Sequence, residues 1–207
     1  MAATGEAAKQ QQPKIEDVDL SGDVALLVGS VPKQARIKVS KALLSFASKY
    51  FATLFSNTFK EGDIVAAGKE LLLKDDDPSS VVILCKILHM RLRLPDDEPL
   101  SPHDLLGLAI VADKYGCAEA LTLSLKTIFP EKATRATSFR ETGGLVCAAY
   151  LLDHPSIFYR FTQEIMTEYT ESFTTLAFGE IGPLLPMSTW RTLQAWRVRT
   201  ELWADDD

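Results

Sequence analysis

The stretch Asp19-Leu20-Ser21-Gly22-Asp23-Val24-Ala25-Leu26-Leu27-Val28-Gly29, followed by Gln34-Ala35-Arg36-Ile37-Lys38-Val39-Ser40 and Lys41-Ala42-Leu43-Leu44, decides the fold. From Asp23 to Val28 a short apolar run is stopped by Gly29-Ser30-Val31-Pro32, and Gln34 to Val39 then alternates polar with apolar residues. Two runs of strand character around a turn-forming break predict a hairpin. Ser40 is placed to cap a helix over 41–46. Ser48 is placed to cap the next, whose Phe51, Leu54 and Phe55 share one face at i, i+3 and i+4.

Outward from this core, residues 1–16 are rich in Ala, Gln and Lys with almost no large apolar group, and are expected to form a disordered tail. The loop 62–68 leads to Glu70 to Leu73, expected as a third strand, whose consecutive leucines suggest burial on both faces. Three helices follow. Asp77-Pro78 opens the first, with Val81, Cys85 and Leu88 inward. Ser101-Pro102 opens the second, with Leu105, Leu108, Ala109 and Ala112 inward and Gly116 as its stop; Ala118, Leu121, Leu125 and Ile128 stripe the third. After a polar linker over 131–137, helices are expected over 144–152, 155–173 and 186–203, making an all-helical C-terminal extension over 138–203 that packs on the preceding domain. Its strongest stripe is Phe158, Phe161, Ile165 and Tyr169. The fold class is α+β.

Composition narrows function. A net charge of −6 disfavours direct nucleic-acid binding, although Lys33, Arg36, Lys38 and Lys41 form a local basic cluster that a solvated strand edge also explains. No run approaches the roughly 18 apolar residues of a membrane span. Cys85, Cys117 and Cys147 lie in apolar, helix-like surroundings and are expected as free buried thiols, consistent with a cytoplasmic or nuclear protein. Gly62, Gly68 and Lys69 fail as a phosphate loop: five residues separate the glycines where four are required, and Glu70 stands where Ser or Thr would ligate magnesium. Cys85 and His89, at i and i+4, have no second pair to complete a zinc site. His89, His103 and His154 have no recognisable nucleophile partner. No cofactor, metal site or enzymatic activity is therefore expected.

The ordered set of motifs quoted above, with Ser48-Lys49-Tyr50-Phe51-Ala52-Thr53-Leu54-Phe55 and Phe59-Lys60-Glu61, resembles a BTB/POZ domain over about residues 20–130. Leu88-His89-Met90-Arg91 is similar to the corresponding helix end of short fungal-type members. The resemblance implies a small sheet with surrounding helices, and a noncatalytic protein-interaction module that self-associates and recruits protein partners. It also implies specific residues. Asp23 and Lys41 match a charged pair that lines the dimer pocket of BTB transcription factors, although Ser40 replaces the His that commonly precedes the basic residue. Phe59, Lys60 and Glu61 resemble the hydrophobic-X-acidic motif that substrate adaptors present to a cullin scaffold in a ubiquitin ligase complex. The alternative within the family is a transcriptional or chromatin-associated regulator. In the C-terminal helix, Trp196 and Trp203 fall on one stripe with Leu193, with Arg191, Arg197 and Arg199 around it. Trp and Arg are enriched at interface hot spots, so Trp196, Arg197 and Trp203 are candidate partner contacts, set against packing on the same chain.

Overall fold

Alternation of side chains along a strand gives one buried face, and the hairpin shows it. The computed structural model describes residues 13–56, 68, 70–94, 100–129 and 136–204, with side chains through residue 199. Strands β2 (Val24–Val28) and β3 (Ala35–Val39) pair antiparallel, placing Val24 opposite Val39, Leu26 opposite Ile37 and Val28 opposite Ala35. All six are buried. These directly facing apolar pairs fix the register, because a one-residue slip would turn the whole set to the other face.

Two parallel partners complete a sheet of order β1-β3-β2-β4. Strand β1 (Lys14–Asp17) lies beside β3, so residues 14–16 leave the tail to which their composition assigns them. The ladder to β3 satisfies their backbone, and Glu16 anchors them through ion pairs to Lys14 at 2.7 Å and Lys86 at 3.3 Å. Strand β4 (Leu71–Leu73) lies beside β2. Leu71 is buried but Leu72 is 54% exposed, so β4 is not covered on both faces; it is an edge strand with one face open. The basic cluster belongs partly to the interior strand β3. Arg36 pairs with Glu70 at 2.5 Å, and Lys38 donates to the Leu20 carbonyl at 2.6 Å.

Helices α1 (Lys41–Ala47), α2 (Lys49–Leu54) and α3 (Pro78–Leu88) start where the sequence places their caps. Ser40 Oγ accepts from Leu43 N–H, Ser48 Oγ from Phe51 N–H and Asp77 Oδ2 from Ser80 N–H. Leu44, Phe51, Phe55, Val81, Leu84 and Cys85 are buried beside the apolar sheet face, whereas Leu88 is half-buried.

The chain divides after Arg91 into two compact units. In the second, every described element is helical: α4 (Pro102–Lys114), α5 (Ala118–Ile128), α6 (Phe139–Leu151), α7 (Pro155–Thr167), α8 (Thr174–Ala177), a 3-10 turn (Gly182–Leu184) and α9 (Met187–Ala204). Ser101 caps α4, and the sequence-derived inward residues of α4 are all buried. Helix α6 packs against α4 and α7 and is buried without a break from Thr142 to Ala149. It starts at Phe139, five residues earlier than its glycines suggest. Ser138 Oγ accepts from Glu141 N–H, while the Glu141 carboxylate accepts from Thr137 N–H at 2.7 Å. That reciprocal arrangement approximates a capping box, and the Thr137 bonds hold the Glu141 carboxyl below its usual range. The expected helix over 155–173 is instead α7, ending at Thr167, followed by a loop and α8. Among the described residues, no helix is long and apolar enough to cross a membrane.

Three helices end by the same device. Behind α3, α4 and α6, Met90, Gly116 and Asp153 adopt φ of 55°, 62° and 49°. The next N–H in each case reaches back six residues inclusive: Arg91 to Lys86, Cys117 to Ala112 and His154 to Ala149. Glycine occupies such a left-handed position without a Cβ penalty, and aspartate tolerates it better than most residues. Met90 does neither and is 86% exposed. Met90→Gly is expected to raise the unfolding free energy by about 0.5–1 kcal/mol, read by urea denaturation. The Lys14 hydrogen bond, followed by the weaker influence of Lys86, holds Glu16 below its ordinary pKa of 4.5. Its stabilisation is therefore present above the ordinary value and lost as pH falls through the lower folded value. The stability difference between wild type and Glu16→Gln should be at most about 0.5 kcal/mol at pH 6, as for a solvent-accessible pair, and should vanish towards pH 2.

Candidate functional site

Where β3 ends and α1 begins, the main chain leaves the sheet before it gains helical partners. Two side chains distant in sequence satisfy it. Ser40 N–H donates to His89 Nε2 at 2.9 Å, and Lys41 N–H donates to Asp23 Oδ1 at 2.7 Å. His89 is 5% exposed, and its Nδ1 lies 2.8 Å from the Cys85 carbonyl. A carbonyl only accepts and an amide N–H only donates, so the ring carries its proton on Nδ1 and offers Nε2 as acceptor. Both ring nitrogens are thus engaged by backbone. The Cys85–His89 spacing serves a helix end: the Cys85 carbonyl takes both the His89 N–H, at 3.0 Å, and the His89 ring.

Asp23 and Lys41 are brought together, through the main chain of Lys41. Helix α1 has no acidic residue in its first turn, and the Asp23 carboxylate supplies negative charge there from β2's approach. Asp23 is exposed and Lys41 half-buried. Beyond this junction, the α1–α2 pair points large apolar groups at solvent: Phe46 is 94% and Tyr50 49% exposed. Leu44 and Phe51 face inward on the same two helices. Phe59, Lys60 and Glu61 lie outside the described residues.

In the C-terminal helix the structure inverts the expected roles. Trp190, Leu193 and Arg197, at i, i+3 and i+7, form the buried stripe of α9. Arg197 donates to the carbonyls of Ile165 and Glu171 and lies over the rings of Phe173, at 4.3 Å, and Phe139, at 5.5 Å. A cation inside its own unit, bound to carbonyls at and just beyond the end of α7, is a structural clamp. Arg197 is therefore corrected from a partner contact to an internal one. Trp196 is 54% exposed, and the side chain of Trp203 lies outside the described residues.

Two clefts open in the second unit. One, of about 640 Å³, has Asp113, Tyr150, Asp153, His154 and Phe158 among its walls. His154 Nδ1 accepts from Ile157 N–H at 3.4 Å and so caps α7. The other, of about 590 Å³, runs between α8 and α9 and is lined by Phe173, Ala177, Phe178, Trp190, Arg191 and Val198, among others. Sequence reasoning missed this second cleft. Its α9 wall is nevertheless a readable stripe of Met187, Trp190, Arg191, Gln194 and Val198, at i, i+3, i+4, i+7 and i+11. All three cysteines are free and buried, and burial pushes the Cys147 thiol up to about 12, far from the reactive thiolate range. Among the described residues, no three His, Cys, Asp or Glu side chains cluster as metal ligands do.

The first unit is thus a small mixed sheet flanked by capped helices, with exposed apolar groups on a helical pair. The family model of the BTB/POZ domain matches residues 15–122, and the chain belongs to that family. The match begins in β1 and ends within α5, so α6 to α9 lie outside it. A search of curated proteins finds no match.

The His89 junction makes a stability prediction. His89→Ala leaves the part-buried Ser40 N–H without its acceptor and should cost about 1–2 kcal/mol. His89→Gln, whose side-chain oxygen reaches about as far as Nε2, should cost less than half of that, as read by chemical denaturation of both variants.

Proposed function

We propose that this chain is a noncatalytic adaptor of the BTB/POZ family that self-associates through the α1–α2 face and engages a cullin scaffold through Phe59, Lys60 and Glu61. The observation that carries self-association is the exposure of Phe46 and Tyr50 on helices whose other faces are buried in the unit's core. Large apolar groups held rigidly in water favour a protein partner that covers them. The open edges of β1 and β4, with Ile15 65% and Leu72 54% exposed, offer further contact area.

The cullin reading rests on the motif itself. An aromatic anchor gives burial, and the neighbouring carboxylate gives register through a charge-assisted bond. Trp196, which is exposed, and Trp203, whose side chain lies outside the described residues, remain our candidates for additional partner contact. Free buried thiols suit a reducing compartment, the cytoplasm or nucleus. The Asp23 carboxylate already holds the start of α1, and a regulator working through a charged dimer pocket has no separate observation in its favour.

Light scattering after size exclusion should give a dimer or larger assembly for wild type and a monomer for Phe46→Asp; a wild-type monomer at 100 μM would remove self-association. Purified cullin N-terminal domain should bind wild type with a Kd of about 1 μM or tighter, near −8 kcal/mol, and Glu61→Lys should weaken that binding at least tenfold. Absence of binding by folded wild type would remove the adaptor reading.

A further inference from the structure

The cleft between α8 and α9 has the construction of a preformed peptide groove. Phe173, Ala177 and Phe178 form one wall, and Trp190, Ala195 and Val198 lie along the other. Hydrogen bonds tie the walls together. Gln194 Oε1 accepts from Phe173 N–H at 2.8 Å and from Ser172 Oγ at 3.1 Å, and Trp190 Nε1 donates to the Gly182 carbonyl at 3.0 Å. The chain between the walls turns so tightly that a Cβ on Gly182 would come within 2.1 Å of the Ala177 carbonyl oxygen, so only glycine fits there. A groove held in this way pays little ordering cost when it is filled.

Its rim is apolar where solvent should favour polar groups. Phe178 is 82% exposed, Val198 45% and Met187 40%. Arg191, exposed on α9, is the single charged side chain among the described lining residues. The stripe from Met187 to Val198 extends about 16 Å along the helix, matching roughly three turns of a second helix or five residues of extended chain. Two copies of this chain facing each other through the groove would bring their Arg191 side chains to one interface, an arrangement that like charges oppose.

We propose that this groove docks a short amphipathic segment of a partner protein, whose large apolar side chains enter between Phe178 and Val198 and whose Asp or Glu pairs with Arg191. The proposal rests on the reading of the chain as an interaction module and gives that module a recruiting site outside the matched domain. The mode is that of a helix or strand laid in an apolar groove, with apolar anchors giving affinity and the ion pair giving register.

The test uses the full chain and a phage-displayed library of random 16-residue peptides. Enriched sequences should share two or three large apolar residues with an acidic residue at fixed spacing. Fluorescence polarisation of the labelled consensus peptide should show binding that Ala195→Trp abolishes and Arg191→Glu weakens at least tenfold. The Arg191→Glu variant should in turn prefer the same peptide with Lys in place of its acid. A consensus lacking an acid, no enrichment, or binding indifferent to both substitutions would overturn the proposal. Self-association lost in Phe178→Ser would overturn it by assigning the groove to a second copy. Cullin binding and oligomeric state of the wild-type chain separate the two readings: if both are present while wild type selects no peptide, the groove proposal fails and the interaction module stands.

Discussion

The junction between β3 and α1 is the constraint on which the first unit depends. A strand that turns directly into a helix leaves two consecutive amide hydrogens with neither sheet nor helix partners, and a donor even partly withdrawn from water needs an acceptor. Here His89 takes one and Asp23 the other. His89 is itself held by the Cys85 carbonyl at the end of α3. One ring thus connects the end of a helix after β4 to the start of a helix after β3. The direction in which α1 leaves the sheet is set by these bonds, and with it the presentation of Phe46.

The same arrangement gives a structural use to the residues most suggestive of chemistry. A cysteine and a histidine one turn apart look like metal ligands, and an aspartate opposite a lysine looks like a charged pocket. In both cases backbone groups claim the side chains. The Cys85 contribution is its carbonyl, with its side chain buried as a small hydrophobe. The partner of Asp23 is an amide hydrogen of Lys41. Side-chain identity reports what a residue can do; unsatisfied main-chain groups nearby decide what it does.

Where local chemistry specifies structure, the fold was legible in the sequence. Ser40, Ser48, Asp77 and Ser101 each cap the helix expected of them, and the 24–28 and 35–39 runs pair as a hairpin. What escaped depends on distant partners. Lys14–Asp17 becomes a strand because β3 offers an edge and Lys86 an ion pair, neither of which composition reveals. Helix α6 lacks a clear stripe because it is covered all round, and its glycines read as a break; the Ser138 to Glu141 spacing was the signal that would have found its start. Arg197 escaped because arginine inside a helix normally reads as surface. Its burial follows from carbonyls of Ile165 and Glu171 that lie far away in sequence. For the interaction surfaces, sequence supplied the motifs but not the α8–α9 cleft, which exists only once both walls are assembled.

The same buried arginine accounts for the character of the second unit's open groove. Helix α9 carries its inward stripe through Trp190, Leu193 and Arg197, and Arg197 spends its donors on the end of α7 and the loop before α8. That contact draws α9 against Phe173 and fixes the distance between the walls on which Phe173 and Trp190 sit. The neighbouring stripe of α9, from Met187 through Arg191 to Val198, is then left facing across to Phe178 with space between. A shorter apolar residue at position 197 would pack the same stripe without reaching those carbonyls, and the loop before α8 would lose the bond that positions it. A buried cation is costly unless its donors are engaged; here two of its nitrogens tie α9 to the end of α7 and to the loop before α8, while its face covers the ring of Phe173.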